Sequence, residues 1–219
     1  MKKWNLLLGL VFVLIIVSAN GQEVNSRFGL KGGVNYAKYT PDISVAGINV
    51  AEFRRKFGFY FGGFVNITLN EKVKIQPEIL FGLQGGKILM EGFELRTGPN
   101  DLPITGGFRV NVSEYTIIVP ITLQYFFTDD FYIEGGPQFG YIVNRKQKIK
   151  ENIFEQIEGF NNISPLPSKH DKFDLGLTLG LGYKLSDNFG INGRYFFSLI
   201  ERDDLIKTSV YNFGIEYML

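Results

Sequence analysis

The single histidine of the chain, His170, stands in "SKHD" between Ser168 and Asp171. A hydroxyl, an imidazole and a carboxylate are the parts of a nucleophilic hydrolase. That machinery depends on spatial geometry, which near neighbours in sequence rarely reach. A solvated loop histidine and no enzyme are therefore expected. "GLQGGK" (82–87) sets glycines before a lysine as a phosphate loop does. Its spacing is incomplete, Ile88 stands where Ser or Thr would hold magnesium, and no helical pattern follows; glycines that relieve crowding are expected instead. The absence of cysteine excludes disulfides, thiolate metal sites, a Cys nucleophile and an acylated N-terminal Cys. No cofactor and no metal ligand is expected.

The remaining chemistry is charge. "RKQKIK" supplies Arg145, Lys146, Lys148 and Lys150, "RRK" supplies Arg54, Arg55 and Lys56, and Lys169 and Lys172 flank His170. Another eight charges are scattered through apolar segments: Lys31, Lys74, Lys184 and Arg194 against Glu78, Glu134, Asp174 and Glu216. What these groups can do depends on the elements that carry them.

Those elements are strands. In "FDLGLTLGLGYKL" (173–185) large apolar side chains take every second position, from Phe173 to Leu185, with Asp174, Thr178, Lys184 and three glycines between them. Strict period-2 alternation gives a strand with one apolar and one polar face. The pattern recurs in "RFGLKGGVNY", "GFYFGGFVNIT", "VKIQPEILFGL", "YTIIVPITLQY", "FYIEGGPQFGYIV", "FGINGRYFFSL" and "YNFGIEYML". These make eight strands of the length needed to cross a bilayer at a tilt. None of their apolar-face positions is charged.

Connections alternate between tight and long. "LNEKV" (69–73), "FTDDF" (127–131) and "LSDNF" (185–189) recur at intervals of 58 residues. Asp130 and Asn188 suit the left-handed last residue that three-residue hairpins favour. The segments 37–56, 88–113 and 145–171 read as long loops, with a shorter one at 200–208. Tight turns on one side, long loops on the other and aromatics near strand ends are features of an outer-membrane barrel. Pro77, Pro120 and Pro137 fall inside strands, where local bulges are expected to absorb the missing N–H. The expected fold is all-β: a single eight-stranded antiparallel up-and-down transmembrane β-barrel, short turns periplasmic and long loops extracellular.

The N-terminus fits that destination. "MKKWNLLLGLVFVLIIVSANG" has a basic start, an apolar run of about 12 residues, too short to span a bilayer, and a small-residue end. Residues 1–21 are expected to be a cleaved signal peptide and 22–219 the barrel domain. Its removal leaves 21 basic against 22 acidic residues, with no nucleic-acid signature. An eight-stranded barrel is only wide enough for side chains to fill it. The eight scattered charges would then pair inside, plugging the lumen, because an unpaired buried ion costs several kcal/mol. The nine basic residues at the strand tops would form a rim able to contact lipopolysaccharide phosphates through charge-assisted hydrogen bonds. "ENIFEQIEGFNNISPLPS" (151–168) spaces Ile153, Phe154, Ile157 and Phe160 like one face of a short helix. It would either dock a partner protein or cap the barrel mouth.

At "IQPEILFGLQGG", "IIVPITLQYFF", "IEGGPQFGYIV" and "RFGLKGGVNYA" the chain resembles the PorT-type outer-membrane β-barrel family, over most of residues 27–219. Similar proline-containing strands recur in that family. The resemblance implies a barrel and, for its named members, a part in a secretion and gliding-motility apparatus; it brings no catalytic or ligand residues. The functions in view are a non-enzymatic structural or partner-binding barrel, an accessory of such an apparatus, or a small-solute porin. Expected partners are outer-membrane lipid, lipopolysaccharide and other envelope or secretion proteins.

Overall fold

The computed structural model describes residues 25–45, 48–95, 103–152, 170–203 and 206–219. They form β1 (Ser26–Thr40), β2 (Ile43–Val45), β3 (Ile48–Thr68), β4 (Val73–Gln84), β5 (Gly86–Leu95), β6 (Ile104–Phe126), β7 (Phe131–Asn152), β8 (Phe173–Lys184), β9 (Phe189–Ser198) and β10 (Lys207–Met218). All pairings are antiparallel. β1 pairs with both β10 and β3, closing a ring of eight staves: β1, β3, β4, β6, β7, β8, β9 and β10. β2 folds back on the start of β3, and β5 carries the line of β4 onward between β3 and β6. No helix long and apolar enough to cross a membrane occurs among the described residues.

The alternation of β8 sets its two faces. Leu177, Leu179, Leu181 and Tyr183 point outward and are exposed, while Asp174, Thr178 and Gly182 are buried inside. The ring thus turns its apolar side out, as a lipid-facing surface does. Aromatics band that surface at two heights. Tyr125–Phe127 and Phe189–Tyr217 pack near the tight turns, and Tyr36–Phe57, Phe81–Tyr115 and Phe139–Phe173 pack toward the other end. From Phe173 to Tyr183 the strand rises about 34 Å, or about 25 Å after tilting, the height of an outer-membrane barrel's apolar band.

The three tight turns share one device. Leu69, Phe127 and Leu185 each donate a backbone hydrogen bond to the carbonyl of Val73, Phe131 and Phe189, at 2.8 to 3.0 Å. In each, the second turn residue caps the backbone: Asn70 Oδ1 accepts from Val73 N, Thr128 Oγ1 from Phe131 N and Ser186 Oγ from Phe189 N. Asp130 and Asn188 do not take the expected left-handed conformation; Asp203 is the only described non-glycine residue with positive φ. Side-chain caps close these turns instead.

The prolines are accommodated without bulges. Ladder pairs drop out beside Pro77, Pro120 and Pro137, yet Pro77–Ile121 and Leu80–Ile118 keep one register, as do Pro120–Gln138 and Leu123–Gly135. Bulges lie higher up. Tyr115 pairs with Asn144 but Thr116 with Ile142, so Val143 is an extra residue. β3 steps by one against its β4/β5 side between Arg55–Gly86 and Phe59–Leu83. Much of what reads as loop in 37–56, 88–113 and 145–171 is therefore strand. β3, β5, β6 and β7 continue past the girdle as a wall on one side of the barrel. The segment 153–169 lies outside the described residues.

Candidate functional site: the lumen and the outer rim

The inward side chains of β6 read down the lumen in layers. Val110 and Val112 come first, then Glu114 and Thr116, Ile118 and Pro120, Thr122 and Gln124, and Phe126 at the turn end. Each layer is completed from the other staves.

The lower polar layer is an ion network around Arg194. Its guanidinium donates from Nη1 to Glu78 Oε2 at 2.7 Å, from Nη2 to Glu78 Oε1 at 2.6 Å and Glu134 Oε2 at 2.8 Å, and from Nε to Glu134 Oε1. Lys31 sits 3.1 Å from Glu78 and 2.6 Å from Glu216. Gln76 donates to Glu78 at 2.8 Å, Gln124 to Glu134 at 3.2 Å, and the Tyr132 hydroxyl to Glu216 at 3.1 Å. Two cations thus serve three carboxylates, with amides and a phenol filling the remaining valences. Gly180 makes room for this: a Cβ there would stand 2.7 Å from Arg194 Cγ.

A second network crosses the lumen higher up. Glu114 accepts from Arg202 Nη1 and Nη2 at 3.2 Å each and from Arg145 Nε at 2.9 Å. Arg145 also reaches Asp203 at 2.6 Å, and Arg202 lies 3.5 Å from Asp174 and donates to Thr208 at 2.6 Å. Ser198 donates to Asp174 at 2.5 Å. Here again two cations meet three carboxylates. Asp171 and Asp203 exchange backbone-to-carboxylate bonds at 2.8 and 3.1 Å, tying the start of β8 to the β9–β10 connection.

Apolar clusters fill the remaining layers. Tyr60, Leu80 and Ile118 lie between the networks, and Tyr39, Ala51, Phe53, Ile88, Val110, Val112 and Ile206 close the outer mouth. A cavity of about 10 Å³ beside Tyr60, Gln84, Gln138 and Asn212 has room for about one water molecule. Among the described residues, side chains from the staves fill these layers of the lumen.

Of the eight luminal charges expected from sequence, Lys31, Glu78, Glu134, Arg194 and Glu216 meet in the lower network, and Asp174 belongs to the upper one. Lys74 and Lys184 join neither. Both are half-buried at the turn end, with ammonium groups 4.8 and 4.6 Å from the Phe126 ring centre, and Lys184 donates to Asp129 O. Their inward positions lie too close to the mouth to reach the carboxylates. Glu114, Arg202 and Asp203 were missed. Glu114 continues the inward phase of Thr116 and Ile118, a signal the sequence did carry.

The expected basic rim divides. Arg145 leaves it: the Val143 bulge turns its side chain inward, where it is 2% exposed and paired with Glu114 and Asp203. Arg55 lies on the girdle, 4.4 Å from the Tyr211 ring centre, bonded to Tyr36 O and Ser209. Lys56 donates to Val112 O at 3.1 Å and to the Ser113 hydroxyl. Arg54 is exposed and pairs with Glu52 at 2.8 Å, holding that carboxyl below its ordinary range. Lys146, Lys148, Lys150 and Lys172 are exposed, and Lys169 lies outside the described residues, as does Ser168.

As chemistry, the site pairs and encloses charge. Every luminal carboxylate named above contacts an Arg or Lys, so none stands ready as a general base. No group of three or more His, Cys, Asp or Glu among the described residues is placed to hold a metal ion. The "GLQGGK" glycines serve the backbone: Gly85 has φ +134°, and a Cβ there would stand 2.4 Å from Val112 O.

Among solved structures the chain is similar to Ail, the attachment invasion locus protein of Yersinia pestis, in complex with the heparin analogue sucrose octasulfate. That match has 13% identity and a TM-score of 0.47, over 89% of this chain and 99% of that one. It is similar also to Neisserial surface protein A, at 9% identity and a TM-score of 0.49 over 87% and 96%. OprG from Pseudomonas aeruginosa aligns at 14% identity and a TM-score of 0.45, over 90% and 97%. No curated protein sequence matches the chain. The family model described as outer membrane protein beta-barrel domain matches residues 19–203, most of the chain. The protein therefore belongs to that family of bacterial outer-membrane barrels.

Proposed function

We propose that this is a non-enzymatic outer-membrane barrel with a closed lumen, acting through its extracellular side as a structural or partner-binding element. The observation that carries this reading is the pair of ion networks, around Arg194 and around Glu114, stacked with apolar layers across the lumen. In this reading residues 1–21 are the export signal, removed on the way to the outer membrane. A small-solute porin needs a continuous wet path, which the packed layers oppose. Reconstitution into planar bilayers tests this: no steady conductance is expected, and a steady level of nanosiemens order would overturn it.

A second reading, as accessory to a secretion or gliding apparatus, is favoured by the wall of β3, β5, β6 and β7, which offers docking area above the girdle. It also draws on the PorT-type resemblance of the proline-containing strands. Loss of secreted proteins in a deletion strain, restored by the gene, would support it. An unchanged secreted profile would remove it.

A further inference from the structure

Two groups of cations stand apart among the described residues. Lys31, Arg145, Arg194 and Arg202 are buried and paired. On the wall above the girdle, Lys56, Lys87, Lys146 and Lys148 have no carboxylate partner among the described residues.

Strand register brings that second group together. Arg54 pairs across with Lys87, Lys87 with Asn111, and Asn111 with Lys148, one straight row over β3, β5, β6 and β7. Their neighbours Phe53, Ile88, Val110 and Val112 point into the outer-mouth cluster, so the row faces outward. One step lower, Ser113 pairs with Lys146 and accepts the Lys56 amine. Lys87 is also the charged group that acts on Lys56. The acids beside this patch, Glu52 and Glu91, act on Arg54. Arg54 and Lys87 stand directly opposite each other, a like-charge placement that destabilises a sheet, and Lys148 lies two strands from Lys87 across the neutral Asn111, so the row gathers positive charge that an anion can bridge.

The height of the patch suits one anion source. Lys146 lies two residues and Lys148 four residues beyond the level of Tyr115, about 7 and 14 Å along the strand and so about 5 and 10 Å in height above the girdle after tilting. That is the depth of headgroup phosphates. The row spans three strand spacings, about 14 Å, comparable to a disaccharide phosphorylated at both ends. Asn111 and Ser113 add neutral polar groups beneath the cations.

We propose that the outer face of the β3–β5–β6–β7 wall is a phosphate-binding surface for outer-leaflet lipopolysaccharide, centred on Lys87 with Lys56, Lys146 and Lys148 around it. This rests on the reading of the extracellular side as the working face, and it narrows a basic collar to one flank. Specificity comes from charge-assisted hydrogen bonds to phosphate.

The test is binding of purified lipopolysaccharide, and of the same material enzymatically dephosphorylated, to the folded barrel in detergent. Variants are Lys87→Gln/Lys148→Gln on the wall and Arg27→Gln/Lys72→Gln near the tight-turn end, each checked for folding by heat-dependent gel mobility. A lysine near an anionic surface contributes about fivefold in affinity, so the wall variant should bind about 25-fold more weakly. The control variant should match the parent, and dephosphorylation should weaken parent binding similarly. Equal affinity of the wall variant, equal loss in the control, or undiminished binding of dephosphorylated material would each overturn the proposal. A wall variant that binds like the parent and still gives a silent bilayer removes this surface only. A conducting parent would fail the closed-barrel reading itself.

Discussion

Replacing Arg194 with Met is the most informative perturbation of the lumen. The side chain is 3% exposed and makes four hydrogen bonds, two to Glu78 and two to Glu134. Met keeps much of the volume but leaves three carboxylates around Lys31 alone, raising the local excess from one negative charge to two. Stripping the partner from a buried ion costs about 3–5 kcal/mol, whereas an exposed pair is worth less than about 1. With a urea slope of about 2 kcal/mol/M, the unfolding midpoint should fall by about 2 M. Circular dichroism in detergent, supported by heat-dependent gel mobility, reads that midpoint. The double variant Arg194→Met/Glu134→Gln should recover part of the loss, because one stranded carboxylate is removed. A single-variant loss below about 1 kcal/mol, or a double variant no better than the single, would refute the reasoning. Either result would mean that water already screens these charges.

Other consequences are as specific. Gly85→Ala should destabilise by more than about 1 kcal/mol, because its φ of +134° and the Val112 carbonyl 2.4 Å from a new Cβ leave no unstrained solution; the same urea titration measures it. Leu179→Arg should cost about 2–4 kcal/mol, being outward at mid-strand, while Leu179→Ala costs less; equal effects would contradict a lipid-facing surface. Removing the turn caps with Asn70→Ala, Thr128→Ala and Ser186→Ala should cost about 1 kcal/mol each and add in the triple variant, since each cap bonds only within its own turn.

The sequence revealed the barrel where lipid imposes a rule. Within the apolar band each outward position must be greasy, so β8, β9 and β10 can be read residue by residue. Beyond the girdle that constraint lapses: the outward positions of β3, β6 and β7 turn polar while Phe53, Val110 and Val112 still face the mouth, and the segments read as loop. Single bulges then reverse the phase: Val143 turns Arg145 from an expected rim cation into a luminal one. Arg202 had no local signal at all. It enters the lumen because the β9–β10 connection folds back, with Arg202 and Ile206 bridging and both about 1% exposed. Lys74 and Lys184 show the opposite error, since correct phase does not place a side chain at the right depth. Pairing in the lower network was easier to foresee, because Lys31, Glu78, Glu134, Arg194 and Glu216 all sit on regular strands.

The natural chain has no cysteine, so single cysteines along β8 can report which side is wet and whether the lumen is sealed. In lipid bilayers, a label at Leu177, Leu179 or Leu181 is expected to be quenched by lipid-borne quenchers. A cysteine at Thr178, fully buried in the lumen, is expected to resist both those quenchers and small water-soluble thiol reagents. Rapid aqueous labelling at position 178, or lipid quenching there in place of its neighbours, would contradict a sealed barrel with its apolar face in lipid.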